Sequence, residues 1–276
     1  MGALRDVARL PHVRSIEVAW GLSLVGGSSS TIALLIYSYA EGGATLLAIY
    51  SVGRALAGAV ATLIVSSLGD RVRRDRLLRA TTSARTVLVL SGALLAMGGG
   101  PGPLVIGLAV VSSGCSGTFR PLQAGALPWL VRTPAELASA NVGATLMENA
   151  GALLGPFLAG VVLLLADPGA ALAMSAGWLA LAALALLPLR LPDESRHVGA
   201  ERVHVLRDAA AGTKSLVRVA SPGGLVVLAF AQTFARGVLL VGLVVFAFDV
   251  LGLDNASIGW FNAVMGLGGL LGWFLG

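Results

Sequence analysis

Three charged residues stand deep inside apolar stretches of this chain: Arg54, Glu148 and Arg236. Placing a charge at the centre of a bilayer costs roughly 2.5–3.5 kcal/mol on insertion scales, so such residues turn toward a bundle interior or a water-filled cavity. Glu148 is the one suited to proton chemistry. A carboxyl shielded from water takes up a proton more readily than one in water unless a cation lies beside it. Glu148, Gly151 and Gly155 recur at i, i+3 and i+7 and share one helical face, which points the acid toward a packed interior beside Pro156. Two roles fit: a proton carrier, or a fixed ion pair with Arg54 or Arg120 that holds helices together. Arg54 shares a face with Tyr50 and Gly58, and Arg236 with Gln232 and Thr233. Both faces suit an anionic or polar group, and both equally suit a structural acid. Arg85 is shallower. Arg120 and Glu17 sit near the ends of their runs, where long side chains reach the interface.

The elements that must carry these residues are hydrophobic runs at roughly 18–39, 44–67, 77–98, 103–123, 137–165, 170–189, 223–248 and 256–276. Each has about the 20 residues that a helix needs to cross a hydrocarbon core of ~30 Å. The connections between them alternate in charge. One set holds Glu41, Gly98–Gly102, Asp167, Asp249 and Asp254 without a Lys or Arg. The other holds Arg5, Arg9 and Arg14, then the cluster from Arg71 to Arg79, then Arg132, then Arg190 to Arg218. Short cationic connections stay cytoplasmic. The pattern therefore predicts an all-α, multi-pass protein of the cell inner (plasma) membrane with its N-terminus in the cytoplasm.

Composition excludes other classes. The chain is 56% hydrophobic and 12% charged, half the charge of a typical soluble domain at about 25%. The net charge of +5 is spent where the positive-inside rule puts it, with no aromatic interleaving, so nucleic acid is not an expected partner. Cys115 is single and lies within a run, which rules out a disulfide framework. His12, His197 and His204 fall in polar segments without metal spacing. No catalytic constellation, phosphate loop or cofactor motif is present, so neither an enzyme nor an ATP-driven pump is expected. The 37 glycines suit a bundle whose helices approach closely.

The longest polar segment, 191–222, divides the chain into 1–190, a linker and 223–276. Within the linker Val203, Leu206, Ala210, Leu216 and Val217 form one apolar stripe opposite Arg202, Arg207, Lys214 and Arg218, as in a helix lying on the inner leaflet.

Three motifs sharpen the reading. The turn between the second and third runs is Ser66-Ser67-Leu68-Gly69-Asp70-Arg71-Val72-Arg73-Arg74-Asp75-Arg76. The fourth run closes with Phe119-Arg120-Pro121-Leu122-Gln123-Ala124. The fifth contains Gly151-Ala152-Leu153-Leu154-Gly155-Pro156-Phe157-Leu158-Ala159-Gly160. Gly151 and Gly155 make a flat stripe for a neighbouring helix, and Pro156 removes a backbone hydrogen bond and bends the helix. The first motif resembles the loop signature of the major facilitator superfamily, G-x-L-A-D-R-x-G-R-[RK]-[RK], with Ser66, Gly69, Arg73 and Asp75 as departures. The second resembles that family's R-x-x-Q-G, and the third its exporter-associated G-x-x-x-G-P-x-x-G-G. The stretch from Arg120 to Asn141 is similar to the drug-exporter-like branch, and to members that carry a cyclic-nucleotide-binding domain beyond the last helix. That domain is not in this chain.

The resemblance implies two six-helix halves, so 223–276 would be the first two helices of an incomplete second half. It implies that Asp70 and Arg71, with Arg74, form a cytosolic latch made in one access state and broken in the other. It also implies secondary transport of a small molecule by alternating access, with proton-coupled efflux as the expected mode. Glu148 would carry the proton, and Arg54, Arg120 and Arg236 would be cavity or gating charges. The alternatives are a non-transporting sensor or scaffold that keeps the fold, and an inactive fragment. The small-residue face of the last run, Gly266, Gly269 and Gly272, is expected to meet lipid or a further helix. Membrane lipid is the other expected partner; substrate, coupling ion and oligomeric state stay open.

Overall fold

The computed structural model describes residues 10–68, 72–191 and 220–275, and every regular element among them is helical. α1 is Pro11–Leu68, α2 Arg74–Met97, α3 Gly102–Gly117, α4 Phe119–Ala126, α5 Pro134–Leu165, α6 Pro168–Ala185, α7 Ala220–Val245 and α8 Asn255–Leu275. A 3-10 turn, Leu127–Trp129, follows α4, and a π turn, Phe246–Val250, follows α7. The amphipathic helix expected within 191–222 falls almost wholly outside the described residues.

Six of the described helical stretches are long and apolar enough to cross a membrane. The first, Pro11–Val65, has 55 residues, about 80 Å of helix at 1.5 Å per residue. A single crossing needs far less. The excess is explained at Gly42 and Gly43, which leave helical geometry; Gly43 has φ 60° and ψ −157°, a conformation open in practice only to glycine. The chain crosses, turns there and returns, so α1 supplies two spans, 11–41 and 44–68.

Helix starts follow local chemistry. Thr133 precedes Pro134 and accepts a hydrogen bond from the Glu136 N–H, while the Glu136 carboxylate accepts from the Arg132 N–H at 2.7 Å. Asp167 precedes Pro168 and accepts from the Ala170 N–H at 2.9 Å. In both, a side-chain oxygen satisfies an orphan donor and proline occupies the position that needs none. Asp254 caps α8 through the Ser257 N–H at 3.0 Å. The Ser257 hydrogen bonds hold this exposed carboxyl below its usual range, so the cap stays ionised into acid.

The connections collect at two ends. Glu41 lies against Gly102, Met97 against Gly169, and Tyr39 donates to Asp249. At the opposite end Ser15 donates to the Ala185 carbonyl, Arg73 to Leu191 and Arg74 to Gly125. This is the alternation that the charge pattern predicts.

Each end has its own apolar cluster. Leu35, Tyr50, Val89, Ala109, Ala159 and Leu179 belong to one; Ile16, Val65, Leu78, Phe119, Ala144 and Leu186 belong to the other. Along α1, Ser23, Ser29 and Ser30 fall between the two clusters. Along α2 the polar residues between them are Thr82 and Arg85, and along α3 it is Ser112; all six side chains are buried. A polar layer thus crosses the middle of the bundle. Outward faces carry Val52, Leu56, Val60, Val87, Leu94, Leu181 and Leu184, an exposed apolar surface that suits lipid.

α5 packs on α1 and α8. A Cβ on Gly151 would lie 2.4 Å from that of Leu24, and one on Gly155 would lie 2.5 Å from that of Ser28. On α5's other side a Cβ on Gly259 would lie 2.5 Å from the Gly160 Cα. Gly266 corrects an expectation. It meets neither lipid nor a missing neighbour, because a Cβ there would lie 2.7 Å from the Ala152 carbonyl oxygen. Pro156 has no N–H for that carbonyl, and the loosened turn is where α8 packs.

Candidate functional site

The polar layer opens into two adjoining cavities. The larger, about 810 Å³, is lined from α1, α2 and α3 with Thr233 of α7, and includes Trp20, Ser23, Tyr50, Arg54, Arg85 and Ser113. The smaller, about 370 Å³, reaches Asn149 and Pro156 of α5, Leu240 of α7 and Asn262 of α8. Ser28, Thr31 and Arg54 line both. Arg54 thus stands between the chambers, half-buried, and its Nε has no partner among the described residues.

Arg85 is the residue that sequence reasoning undervalued. It is 7% exposed and donates from Nη1 to the Ser23 hydroxyl at 3.0 Å, while its Nε is unpartnered. Gly27 makes room for it, since a Cβ there would lie 2.4 Å from Nη2. Arg85 and Ser23 sit midway between the two apolar clusters, so counting from the run's end understated its depth.

Glu148 lies outside both cavities. It forms an ion pair with Arg120, Nε to Oε1 3.2 Å, and both side chains are 39% exposed. The Gly151–Gly155 stripe packs on α1, whereas the acid one turn earlier is half open and meets α4. Arg120 also donates to Gln123 at 3.3 Å, and the Gln123 amide donates to Glu17 at 2.9 Å. Gln123 is fully buried, and Glu17 keeps a buried Oε2 without a partner. The chain Glu17–Gln123–Arg120–Glu148 thus ties α1, α4 and α5 together. Trp20 joins the two regions: it lines the larger cavity and stacks on Phe119, ring centroids 5.0 Å apart. Glu17 carried a signal in sequence. Glu17, Gly21, Leu24 and Ser28 share one stripe, and a Cβ on Gly21 would lie 2.9 Å from the Met147 sulfur.

Of the latch residues, Asp70 and Arg71 lie outside the described residues. Arg74 donates to the Gly125 carbonyl at 2.9 Å, fastening α2 to α4. Asp75, a departure from the loop signature, is completely buried and pairs with Arg73 at 3.0 Å and Arg79 at 3.2 Å. Arg73 also donates to the Leu191 carbonyl at 2.9 Å, where the described part of the linker begins. α7 runs through Arg236, whose side chain lies outside the described residues. At the other end Tyr39 stacks on Phe248, centroids 4.9 Å apart, and joins α1 to the π turn.

Residues 18–276 match the family described as the Major Facilitator Superfamily. No curated protein matches the chain.

Proposed function

We propose, since the chain belongs to the Major Facilitator Superfamily, that it exchanges an outgoing small molecule for an incoming proton by alternating access. Membrane insertion in several passes and transport as the general activity follow from the family and its apolar helices. The cation-free and cation-rich sets of connections support a cytoplasmic N-terminus in the cell membrane. The exporter-associated motif in α5 supports the outward direction.

The observation that carries the coupled reading is the chain of side chains from Glu17 to Glu148. Glu148 pairs with the Arg120 guanidinium, and Gln123 accepts from that guanidinium and donates to Glu17, linking the two carboxylates. A proton arriving on Glu148 removes the charge that holds Arg120, leaving Gln123 and Glu17 to compete for it. Losing that pair loosens α5 from α4 at the edge of the cavity wall, where Trp20 stacks on Phe119. Substrate in the central cavities and a proton on Glu148 would thereby favour different arrangements of the same helices, which is the coupling that exchange requires.

Counterflow with the purified full gene product in liposomes tests the transport itself. Saturable exchange of a labelled small molecule, absent from empty liposomes, is expected. Failure across a broad panel of organic cations, anions and neutral compounds would favour a scaffold that keeps the fold.

A further inference from the structure

We propose that the larger cavity holds the anionic group of the transported molecule, a carboxylate or phosphate on a small organic body, between Arg54 and Arg85. The inference names a substrate class for the transport reading above and rests on it for its biological sense.

Arg54 and Arg85 both line one cavity, and no Asp or Glu lines it among the described residues. Neither arginine forms an ion pair among those residues. Arg85 is buried and, among the described residues, its guanidinium donates only to the Ser23 hydroxyl and carbonyl, at 3.0 and 3.4 Å, with Nε left over. A buried charge with so few partners is costly, and two like charges facing one space add to that cost. Such an arrangement persists where a ligand supplies the missing counter-charge. Arginine's planar fork matches carboxylate and phosphate oxygens in pairs, which a point charge does not.

The surroundings describe the rest of the ligand. Ser28 lines both chambers, and Tyr50 borders the larger one. Trp20, Leu24, Leu34 and Ala109 supply apolar wall. About 810 Å³ falls within the ~300–1,000 Å³ common for small-molecule sites. Headgroup and apolar body are thus both provided for. The shared chemistry also occurs in anionic lipid headgroups, so the test separates the two sources.

The full gene product in phosphatidylcholine nanodiscs is titrated by calorimetry with phenyl phosphate, 4-phenylbutyrate and the matched cation 4-phenylbutylamine. The anions should bind, and the amine at least tenfold more weakly. Arg54→Gln, at a half-buried side chain, should cut anion affinity at least tenfold while the thermal melt stays intact. Arg85→Gln should do the same, and Arg85→Lys, which keeps the charge, should keep the preference for anions. Amine binding as tight as anion binding would overturn the proposal, as would wild-type anion affinity in Arg54→Gln. Nanodiscs containing phosphatidylglycerol form the second arm. Soluble anions that do not bind, with phosphatidylglycerol retained by the wild type and lost from Arg54→Gln, would assign the site to lipid and overturn a transported anion. Equilibrium binding needs no gradient, so its failure and the failure of proton coupling are read separately.

Discussion

Ser29 donates its hydroxyl to the carbonyl oxygen of Gly155 at 2.8 Å, both groups buried where α1 and α5 meet. The approach is close enough that a Cβ on Gly155 would also lie 2.8 Å from the Val25 carbonyl oxygen. Backbone cannot yield as a side chain can. Gly155→Ala should therefore destabilise the protein by about 1–3 kcal/mol, the usual cost of overpacking. Ser29→Ala removes one hydrogen bond and should cost about 0.6 kcal/mol, as is typical within membranes. Thermal melts in detergent check the order. A Gly155→Ala protein as stable as Ser29→Ala would mean the contact is looser than described.

Gln123, with Arg120, bridges the two carboxylates, and it is completely buried. Gln123→Leu should leave Glu17 without its donor and cost about 1–3 kcal/mol. Gln123→Asn keeps the amide but shortens its reach, and should fall between. Equilibrium unfolding of the purified variants reads the difference, and equal stabilities would remove the bridge from the account.

Asp75 has no exposed side-chain surface, while its partners Arg73 and Arg79 are 16% and 33% exposed. Asp75→Ala should cost on the order of 2 kcal/mol, less than the ~3–5 for breaking a fully buried pair, because water still reaches both cations. The loss should shrink in 1 M salt if the exposed partners dominate.

Orientation is read by labelling. With Cys115 replaced by Ser, cysteines at the exposed positions Ala40 and Ala166 should react with an impermeant maleimide on intact cells, and one at Ala135 only after lysis. Gly42 and Gly99 would be poor reporters. A Cβ at Gly42 would lie 2.7 Å from that of Leu46, and Gly99 has a positive φ. Outside labelling at Ala135 would invert the topology.

Much of the fold was legible because bilayers impose few rules. Run length placed the spans, whereas the break at Gly42 and Gly43 and the caps at Thr133 and Asp167 came only from the structure. Cation-free connections sorted the ends. The site was legible in part. Arg54 lines both cavities, whereas periodicity alone turned Glu148 inward with its glycines. One turn of helix separates the acid from Gly151, and across that turn the neighbour changes from α1 to α4. Arg85 was undervalued because its depth depends on how α2 is set against α1, which Gly27 permits and spacing does not reveal. Gly266 was assigned outward because the partner carbonyl, Ala152, is made available only by Pro156 four residues on.

The central claim is that a proton on Glu148 drives transport. Its most direct test uses liposomes holding the full gene product and a labelled compound identified by counterflow. An imposed inward proton gradient should drive that compound out against its own gradient in the wild type. Glu148→Gln should abolish the uphill movement while preserving exchange at equilibrium and the thermal melt. Uphill transport by Glu148→Gln at the wild-type rate, or wild-type exchange indifferent to the imposed gradient, would contradict the account.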